Sequence, residues 1–324
     1  MTRSIRIEKT GGPEVMEFVD VDLPAPGPGE VRLRHTVIGL NYIDTYFRSG
    51  LYPAQLPMGL GMEAAGVVEA LGDGVTTLAI GDRVAYADRP PGAYADERNF
   101  PADRLVKLPD NVTDEQAAAM MLKGMTVEYL VHRTYAVQAG QTVLFHAAAG
   151  GVGLIAGQWL KALGVNAIGT AGGPEKCALA KAHGYAHVID YKSEDFHARV
   201  MELTDGKGVP VVYDSVGAAL WEKSLDCLQP MGMYVNFGNA SGAVPEFSPN
   251  VLSAKGSLFM TRPTLMTYNA EPAALQASAG RLFDMVGSGK VKIEINQRYS
   301  LADIRQAHID LESRKTTGST IITI

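Results

Sequence analysis

The chain has 324 residues, of which 46% are hydrophobic and 20% are charged, and this length predicts two globular domains. The composition excludes disorder for most of the chain, and the net charge of −6 argues against a broad nucleic-acid-binding surface, so we predict no DNA partner. The two cysteines, Cys177 and Cys227, are too few for a disulfide framework or a four-cysteine metal site. Without a signal-peptide pattern or an apolar run of about 20 residues, we predict a cytoplasmic protein that does not enter a membrane.

The first hundred residues are predicted to be rich in β-structure. Short apolar or alternating stretches at residues 3–8, 31–37 and 63–70 are separated by glycine, proline and aspartate. This spacing is typical of a small barrel or an irregular β domain.

The middle of the chain has a different pattern, in which short strands alternate with helices. The predicted strands are residues 142–146, 166–170, 188–190, 210–215 and 231–237, and the predicted helices are residues 150–163, 174–183, 195–203 and 219–228. Such alternation predicts βαβ units, hence a Rossmann-type doubly wound parallel sheet in an α/β fold.

The alternation stops after about residue 260. We predict a helix at 271–286, a strand at 291–295, a helix near 301–313 and a strand at 319–324. The interpretation is an α/β domain at 126–260, inserted into a β-rich domain that consists of residues 1–125 and returns at 261–324.

A glycine-rich turn follows the strand at 142–146. Ala148, Gly150 and Gly153 have the spacing of a dinucleotide-binding fingerprint with alanine in its first position. Glycine at 150 lets the backbone approach a pyrophosphate, and glycine at 153 lets the helix pack on the strand. A tight turn without a ligand is the alternative, but the surrounding strands and helices favour dinucleotide binding.

The next strand indicates which dinucleotide binds. Thr170 takes the place where an NAD site usually has a carboxylate, and Gly172 and Gly173 open space after it. Lys176 follows within one helical turn and provides a cation for a 2′-phosphate, so we predict NADPH as the cofactor. Glu175 counts against this, and a solvated helix lysine is the alternative for Lys176.

Several segments together resemble the medium-chain dehydrogenase/reductase family, in its quinone oxidoreductase and zeta-crystallin branch. They are residues 39–46, 61–72, 81–84, 144–154, 212–217 and 237–242. The resemblance covers essentially the whole chain and implies a GroES-like β domain around the Rossmann domain, a cleft between the two, and a homodimer. It also implies cofactor contacts at Asn41, Tyr46, Thr126, Gly150, Gly151, Val152, Lys176, Tyr191, Ser215, Phe237 and Gly238, to which we add Ala149 and Gly172 from the two glycine-rich turns.

We predict that no metal takes part. Zinc-dependent relatives carry Gly-His-Glu where this chain has Gly61, Met62 and Glu63, and a thioether is a poor zinc ligand. His183 and His187 have the spacing of a helical ligand pair, but Gly184 breaks the helix between them. Without a zinc ion to ionise an alcohol, an electron-poor acceptor such as a quinone is the favoured substrate.

The predicted function is therefore NADPH-dependent reduction of quinones, with Tyr46, Tyr52 and Asn41 as catalytic candidates that line the site. One alternative is reduction of an α,β-unsaturated carbonyl compound or an acyl-CoA, for which Arg48, Arg89 and Arg262 would have to form a basic groove. The others are a nucleotide-pocket protein that binds RNA, and a redox sensor with little turnover; no basic-aromatic motif supports RNA binding.

Overall fold

The computed structural model describes residues 1–324, and their contacts divide the chain into two units. The first unit consists of Met1–Met125, Asn269–Gly287 and Ile293–Ile324, and the second of Thr126–Tyr268 and Ser288–Lys292.

Sixteen strands form in the chain. They are β1 (Thr2–Ile7), β2 (Glu17–Val21), β3 (Glu30–Leu40), β4 (Met58–Gly59), β5 (Glu63–Leu71), β6 (Arg83–Ala87), β7 (Glu97–Pro101), β8 (Val106–Lys107), β9 (Thr142–Phe145), β10 (Asn166–Ala171), β11 (His187–Asp190), β12 (Val209–Asp214), β13 (Leu228–Asn236), β14 (Phe259–Thr261), β15 (Ile295–Ser300) and β16 (Ser319–Thr323).

Ten α-helices accompany them. They are α1 (Tyr42–Ser49), α2 (Asp114–Tyr129), α3 (Gly151–Ala162), α4 (Pro174–Ala182), α5 (Phe196–Leu203), α6 (Trp221–Leu225), α7 (Asn250–Ala254), α8 (Leu265–Tyr268), α9 (Pro272–Gly287) and α10 (Ile304–Glu312). A π-helical turn, Leu130–Thr134, continues α2. None of these helices has the length and apolar character needed to cross a membrane.

The first unit is built from two sheets. One has the order β2-β1-β4, and the other has the order β15-β16-β3-β5-β6-β8, with β7 also paired to β3. In β3, Val31 and Leu33 are buried and alternate with Arg32 and Arg34, as expected of a strand with one face in the core. The C-terminal strand β16 pairs antiparallel with β3, so the end of the chain completes the sheet begun near its start.

The second unit contains one parallel sheet with the order β11-β10-β9-β12-β13-β14. Its central strands are largely apolar: Val143, Leu144 and Phe145 in β9 are completely buried, as a parallel sheet covered on both faces requires. Counted from β9, the order is 3-2-1-4-5-6, which is that of a Rossmann fold. The predicted fold class, a Rossmann-type sheet inserted in a β-rich domain, is confirmed.

Some sequence-based boundaries differ from the structure. The longer segment of the second unit runs from Thr126 to Tyr268, and residue 260 lies inside β14, which pairs with β13. The helix predicted at 219–228 is shorter in the structure, where α6 covers only Trp221–Leu225. Leu228 already pairs with Val209 as the first residue of β13.

The strand predicted at 291–295 forms later, as β15. The Gln158 side chain on α3 binds the backbone N–H and carbonyl of Lys292, at 2.9 and 3.0 Å, and this places residues 288–292 in the second unit. The strand therefore begins only at Ile295, in a polar stretch that alternates in exposure.

Two helices of the first unit were not predicted, although both carry start signals. In α1, the Asp44 carboxylate accepts a hydrogen bond from the N–H of Asn41, and Gly50 ends the helix with a φ of 83°. Before α2, Thr113 and Gln116 exchange reciprocal side-chain to backbone hydrogen bonds of 3.0 and 3.1 Å, which is a capping box.

Candidate functional site

The turn between β9 and α3 is shaped by its backbone. Ala147 has a φ of 55°, and no side chain caps the N-terminus of α3. A Cβ atom on Gly153 would lie 2.4 Å from the carbonyl oxygen of Ala147, so α3 approaches the turn as closely as only glycine permits. A Cβ on Gly150 would meet only that same oxygen, at 3.3 Å, which leaves the backbone there open. Uncapped N–H groups and the positive end of the helix dipole suit a phosphate. The same turn contains Ala149, Gly151 and Val152.

The turn between β10 and α4 brings a tyrosine and a lysine of the predicted site to the same region. A Cβ on Gly172 would lie 2.5 Å from the hydroxyl oxygen of Tyr191, so the Tyr191 ring lies directly against this glycine. Lys176 is in the first turn of α4 and is half-buried. The Asp190 carboxylate accepts a 2.8 Å hydrogen bond from the N–H of Gly173, and this bond lowers the pKa of Asp190. The loop is therefore fixed before any ligand binds.

The structure corrects the position assigned to Thr170. Its side chain is buried, and its hydroxyl lies 2.9 Å from Nδ1 of His146 inside the second unit. Because β10 extends to Ala171, the first residue beyond the strand is Gly172, and it is there that a ribose-binding carboxylate is missing.

A third turn, after β12, is held by a buried carboxylate. Oδ1 of Asp214 accepts a 2.6 Å hydrogen bond from the N–H of Val216, and Oδ2 accepts a 2.5 Å bond from the Tyr234 hydroxyl. A Cβ on Gly238 would lie 2.6 Å from the carbonyl oxygen of Ser215, so the turn after β13 contacts the turn after β12. Phe237 precedes that glycine.

All of these turns lie at the carboxyl ends of parallel strands, where Rossmann folds bind nucleotides. We call them the glycine cradle. It consists of residues 147–153, 172–176, Tyr191, Ser215, Phe237 and Gly238.

The catalytic candidates of the first unit lie at and near α1. Nδ2 of Asn41 donates a 2.7 Å hydrogen bond to Oε2 of Glu63. The rings of Tyr46 and Tyr52 are 5.2 Å apart, and the N–H of Tyr52 donates to the carbonyl of Tyr46. The structure therefore brings Tyr46 and Tyr52 together. The predicted cofactor residue Thr126 is buried in α2.

Two buried charges next to Asn41 were not predicted as site residues. Glu63 is completely buried, and its Oε1 accepts a 2.7 Å hydrogen bond from the N–H of Leu122. Nζ of Lys123 lies 3.5 Å from Oε2 of Glu63 and 3.2 Å from the carbonyl oxygen of Leu40. Burial raises the pKa of Glu63, whereas the charge of Lys123 and the Asn41 amide act against this rise.

A second buried chain of polar groups begins at Asp44. Oδ2 of Asp44 accepts hydrogen bonds from the Asn41 N–H and the Tyr94 hydroxyl, both 2.9 Å, whereas Oδ1 has no partner. The Tyr94 oxygen lies 3.0 Å from Nε2 of His308, whose Nδ1 is 2.9 Å from the Arg48 guanidinium. Because arginine only donates, Nδ1 accepts and Nε2 carries the proton. Burial raises the pKa of Asp44 to about 7.

We call this group the Asn41 cluster. It consists of Asn41, Asp44, Glu63, Tyr94, Lys123 and His308.

The donor set does not fit a metal ion. Met62 is completely buried, and its neighbour Glu63 is occupied by three hydrogen-bond donors. No three His, Cys, Asp or Glu side chains of the chain are grouped so that they could hold an ion. His183 binds the carbonyl oxygen of Leu179, and His187 is exposed on β11.

Comparisons with known proteins agree with this architecture. Residues 27–110 match the family model "Alcohol dehydrogenase GroES-like domain", and residues 151–279 match "Zinc-binding dehydrogenase". A quinone oxidoreductase of Pseudomonas aeruginosa is 55% identical over 323 residues, and a 2-haloacrylate reductase of a Burkholderia species is 43% identical over 329 residues; each alignment covers 99% of both chains. The crystal structure of Escherichia coli quinone oxidoreductase complexed with NADPH matches with a TM-score of 0.98 at 48% identity, over 100% of both chains.

The chain therefore belongs to the medium-chain dehydrogenase/reductase family, and within it to the quinone oxidoreductase branch. The zinc in the description of one matching model does not fit the residues around Met62, and we derive no chemistry from it.

Proposed function

We propose that this chain catalyses the NADPH-dependent reduction of quinones. The observation that carries the proposal is the glycine cradle, in which Tyr191 lies against Gly172 and Lys176 is in the adjacent helical turn. This loop has space and a cation for a 2′-phosphate, and Gly172 and Gly173, the first residues after β10, have no carboxylate to bind a ribose hydroxyl; Glu175 lies further on, exposed in the first turn of α4. The quinone oxidoreductases among the relatives, one of them solved with NADPH, support the same activity.

The cofactor is proposed to bind through the residues predicted from the sequence. The pyrophosphate is assigned to the turn at Ala149, Gly150, Gly151 and Val152, and the 2′-phosphate to Gly172, Lys176 and Tyr191. The remaining contacts are assigned to Asn41, Tyr46, Thr126, Ser215, Phe237 and Gly238. Because the backbone of the cradle is fixed by Asp190 and Asp214, little ordering accompanies binding.

Bound NADPH supplies the hydride, and this chain's residues hold the acceptor and exclude water. Tyr46, Tyr52 and Asn41 are proposed to line the acceptor site, where flat rings pack against the tyrosines. The proposed reaction is independent of zinc, which the unsuitable donor set around Met62 supports.

Oxidation of NADPH and NADH, followed by their absorbance, tests the proposal. The acceptors are benzoquinone, phenanthrenequinone and a short enone, each measured with and without EDTA. We expect quinone turnover that prefers NADPH and is unaffected by EDTA. Tight NADPH binding without any turnover would contradict the proposal and favour a sensor or a nucleotide-pocket protein that binds RNA.

Reduction of an activated alkene is the second candidate, and the 43% identity to a 2-haloacrylate reductase favours it. Turnover with the enone but not with the quinones would support alkene reduction over quinone reduction. An acyl-CoA substrate is disfavoured, because Arg48 is buried and its guanidinium binds the Gly11 carbonyl, His308 and Glu312 instead of lining a basic groove.

We further propose a homodimer in a reducing, cytoplasmic compartment. The edge strand β14 carries Phe259, which is 58% exposed and offers an apolar surface for a second copy. The free thiols Cys177 and Cys227 support a reducing compartment. Light scattering at micromolar concentration is expected to give twice the chain mass.

A further inference from the structure

We propose that the ammonium group of Lys123 donates a hydrogen bond to the acceptor oxygen that gains negative charge during reduction. The inference rests on the proposed quinone reduction and adds a catalytic residue to it. It takes the acceptor to be a carbonyl compound, whether a quinone or an enone.

The first argument is the number of donors on Lys123. An ammonium group has three N–H donors, and here two acceptors lie near it, the carbonyl oxygen of Leu40 at 3.2 Å and Oε2 of Glu63 at 3.5 Å. One donor is left over on a side chain that is only 8% exposed. Burying a charged group is costly unless its donors are paired, so the third donor of Lys123 favours binding of an acceptor oxygen beside it.

The second argument is the surroundings of Lys123. Glu63 binds both Lys123 and the amide of Asn41, so one carboxylate holds the lysine next to a predicted acceptor residue. Thr126, a predicted cofactor residue, is three positions later in α2 and therefore on the same helix face as Lys123. Lys123 thus shares Glu63 with one residue assigned to the site and is about one helical turn from another.

The third argument is the chemistry of the step. Both electrons reach the acceptor with the hydride: the C4–H bond of NADPH breaks, and that hydrogen forms a new bond to the acceptor. The conjugated carbonyl oxygen of the acceptor thereby becomes an anion. A solvent proton then neutralises that oxygen. A fixed cation in a site of low polarity lowers the energy of this charge, a role that a metal ion has in zinc-dependent enzymes.

The test compares Lys123→Met with the double variant Glu63→Gln/Lys123→Met. The double variant keeps a hydrogen-bond acceptor for Asn41 but leaves no unpaired buried carboxylate. It therefore still tests the role of Lys123 if the single variant fails to fold. For both variants we expect kcat to fall about a hundredfold with the enone and less with benzoquinone, which needs less assistance. The dissociation constant of NADPH should stay unchanged. Lys107→Met, which removes an exposed lysine of the same unit, serves as the control.

A binding measurement gives a readout that does not depend on turnover. 4-Nitrophenol mimics the acceptor, and its visible absorbance reports whether it is bound as phenol or as phenolate. Wild-type protein loaded with NADP⁺ should lower the apparent pKa of the bound phenol, and both variants should abolish this shift.

The outcomes separate the inference from the proposed function. Recovery of wild-type kcat in the double variant would show that Lys123 merely neutralises Glu63 and would overturn the inference, as would an unshifted phenol in the wild type. If the wild type reduces no quinone, the proposed function fails, while the nitrophenol measurement still decides the role of Lys123.

Discussion

The glycine cradle and the Asn41 cluster are built in opposite ways. The cradle is made largely of backbone and glycine, and two carboxylates beside it, Asp190 and Asp214, accept hydrogen bonds from backbone N–H groups of the turns after β10 and β12. The cluster is made of buried polar and ionisable side chains that come from distant parts of the sequence, such as Asn41, Glu63 and His308. The cradle therefore depends on local geometry, and the cluster depends on the tertiary fold.

The difference has a consequence for substitutions. In the cradle, an added Cβ atom collides with backbone that cannot move, so steric changes should dominate. In the cluster, space is less critical than charge and hydrogen bonding, because a buried group that loses its partner pays its full desolvation penalty.

The largest expected effect is that of Gly153→Val. Its Cβ would lie 2.4 Å from the carbonyl oxygen of Ala147, and the displaced α3 should destabilise the protein by about 3 kcal/mol and abolish NADPH binding. Thermal melting and NADPH fluorescence measure the two effects.

Two further glycine variants, one outside the cradle and one within it, separate the effect on folding from the effect on NADPH binding. Gly280→Val, where a Cβ meets nothing within 4 Å, should leave both properties intact. Gly150→Ala, with its single 3.3 Å contact, should melt near the wild type but bind NADPH more weakly. If Gly150→Ala bound NADPH normally, the backbone at Gly150 would not approach the pyrophosphate.

The next largest effect is expected from Lys176→Glu. Loss of a charge-assisted hydrogen bond and the added repulsion should raise the KM for NADPH about a hundredfold, with little change for NADH, which lacks the 2′-phosphate. Steady-state kinetics with both cofactors measures this. Lys181→Glu, in the last turn of the same helix, is the matched control and should change neither KM. Equal effects of Lys176→Glu on both cofactors would remove the lysine from the phosphate site.

The sequence predicts the cradle well because its signals are local. Each turn directly follows an apolar strand, and the glycine spacing at 148–153 reflects contacts within six residues. The prediction misplaces Thr170 because it ends β10 one residue too early, and side chains point to alternate faces along a strand, so the hydroxyl is assigned to the wrong side of the sheet.

The cluster could be predicted only in part. Asn41 was identified through resemblance, and the helix that follows it had a readable start signal in Asn41 and Asp44. Lys123 gave no signal, since lysine is normally exposed and nothing in its neighbourhood indicates a buried partner 60 residues away. Likewise, His308 meets Tyr94 across 214 residues, and only the return of the chain to the first unit brings them together.

The smallest expected effect concerns the pH dependence of stability through Asp44. Its pKa is about 7 in the folded protein against an ordinary value of 3.8, so the folded state binds more protons than the unfolded state between about pH 4 and pH 7. The free energy of unfolding therefore falls as the pH rises through this range and levels off above it. Burial is the main cause of the raised pKa of Asp44. The groups that face its carboxyl are the Asn41 N–H, the Tyr94 hydroxyl, Lys123 and Glu63.

Asp44→Asn, which resembles the neutral acid, should remove this dependence. Between pH 6 and pH 7 the wild type should lose about 1 kcal/mol relative to the variant, measured by urea unfolding at each pH. His35 and His308, whose pKa values burial lowers from 6.5 to about 4 and about 3, give the opposite slope up to about pH 6.5, but they are present in both proteins and cancel in the difference. The exposed Asp110→Asn should follow the wild-type curve at every pH. Parallel curves for wild type and Asp44→Asn would mean that Asp44 is ionised in the folded protein throughout, held so by the charge of Lys123 and the hydrogen bonds from Asn41 and Tyr94.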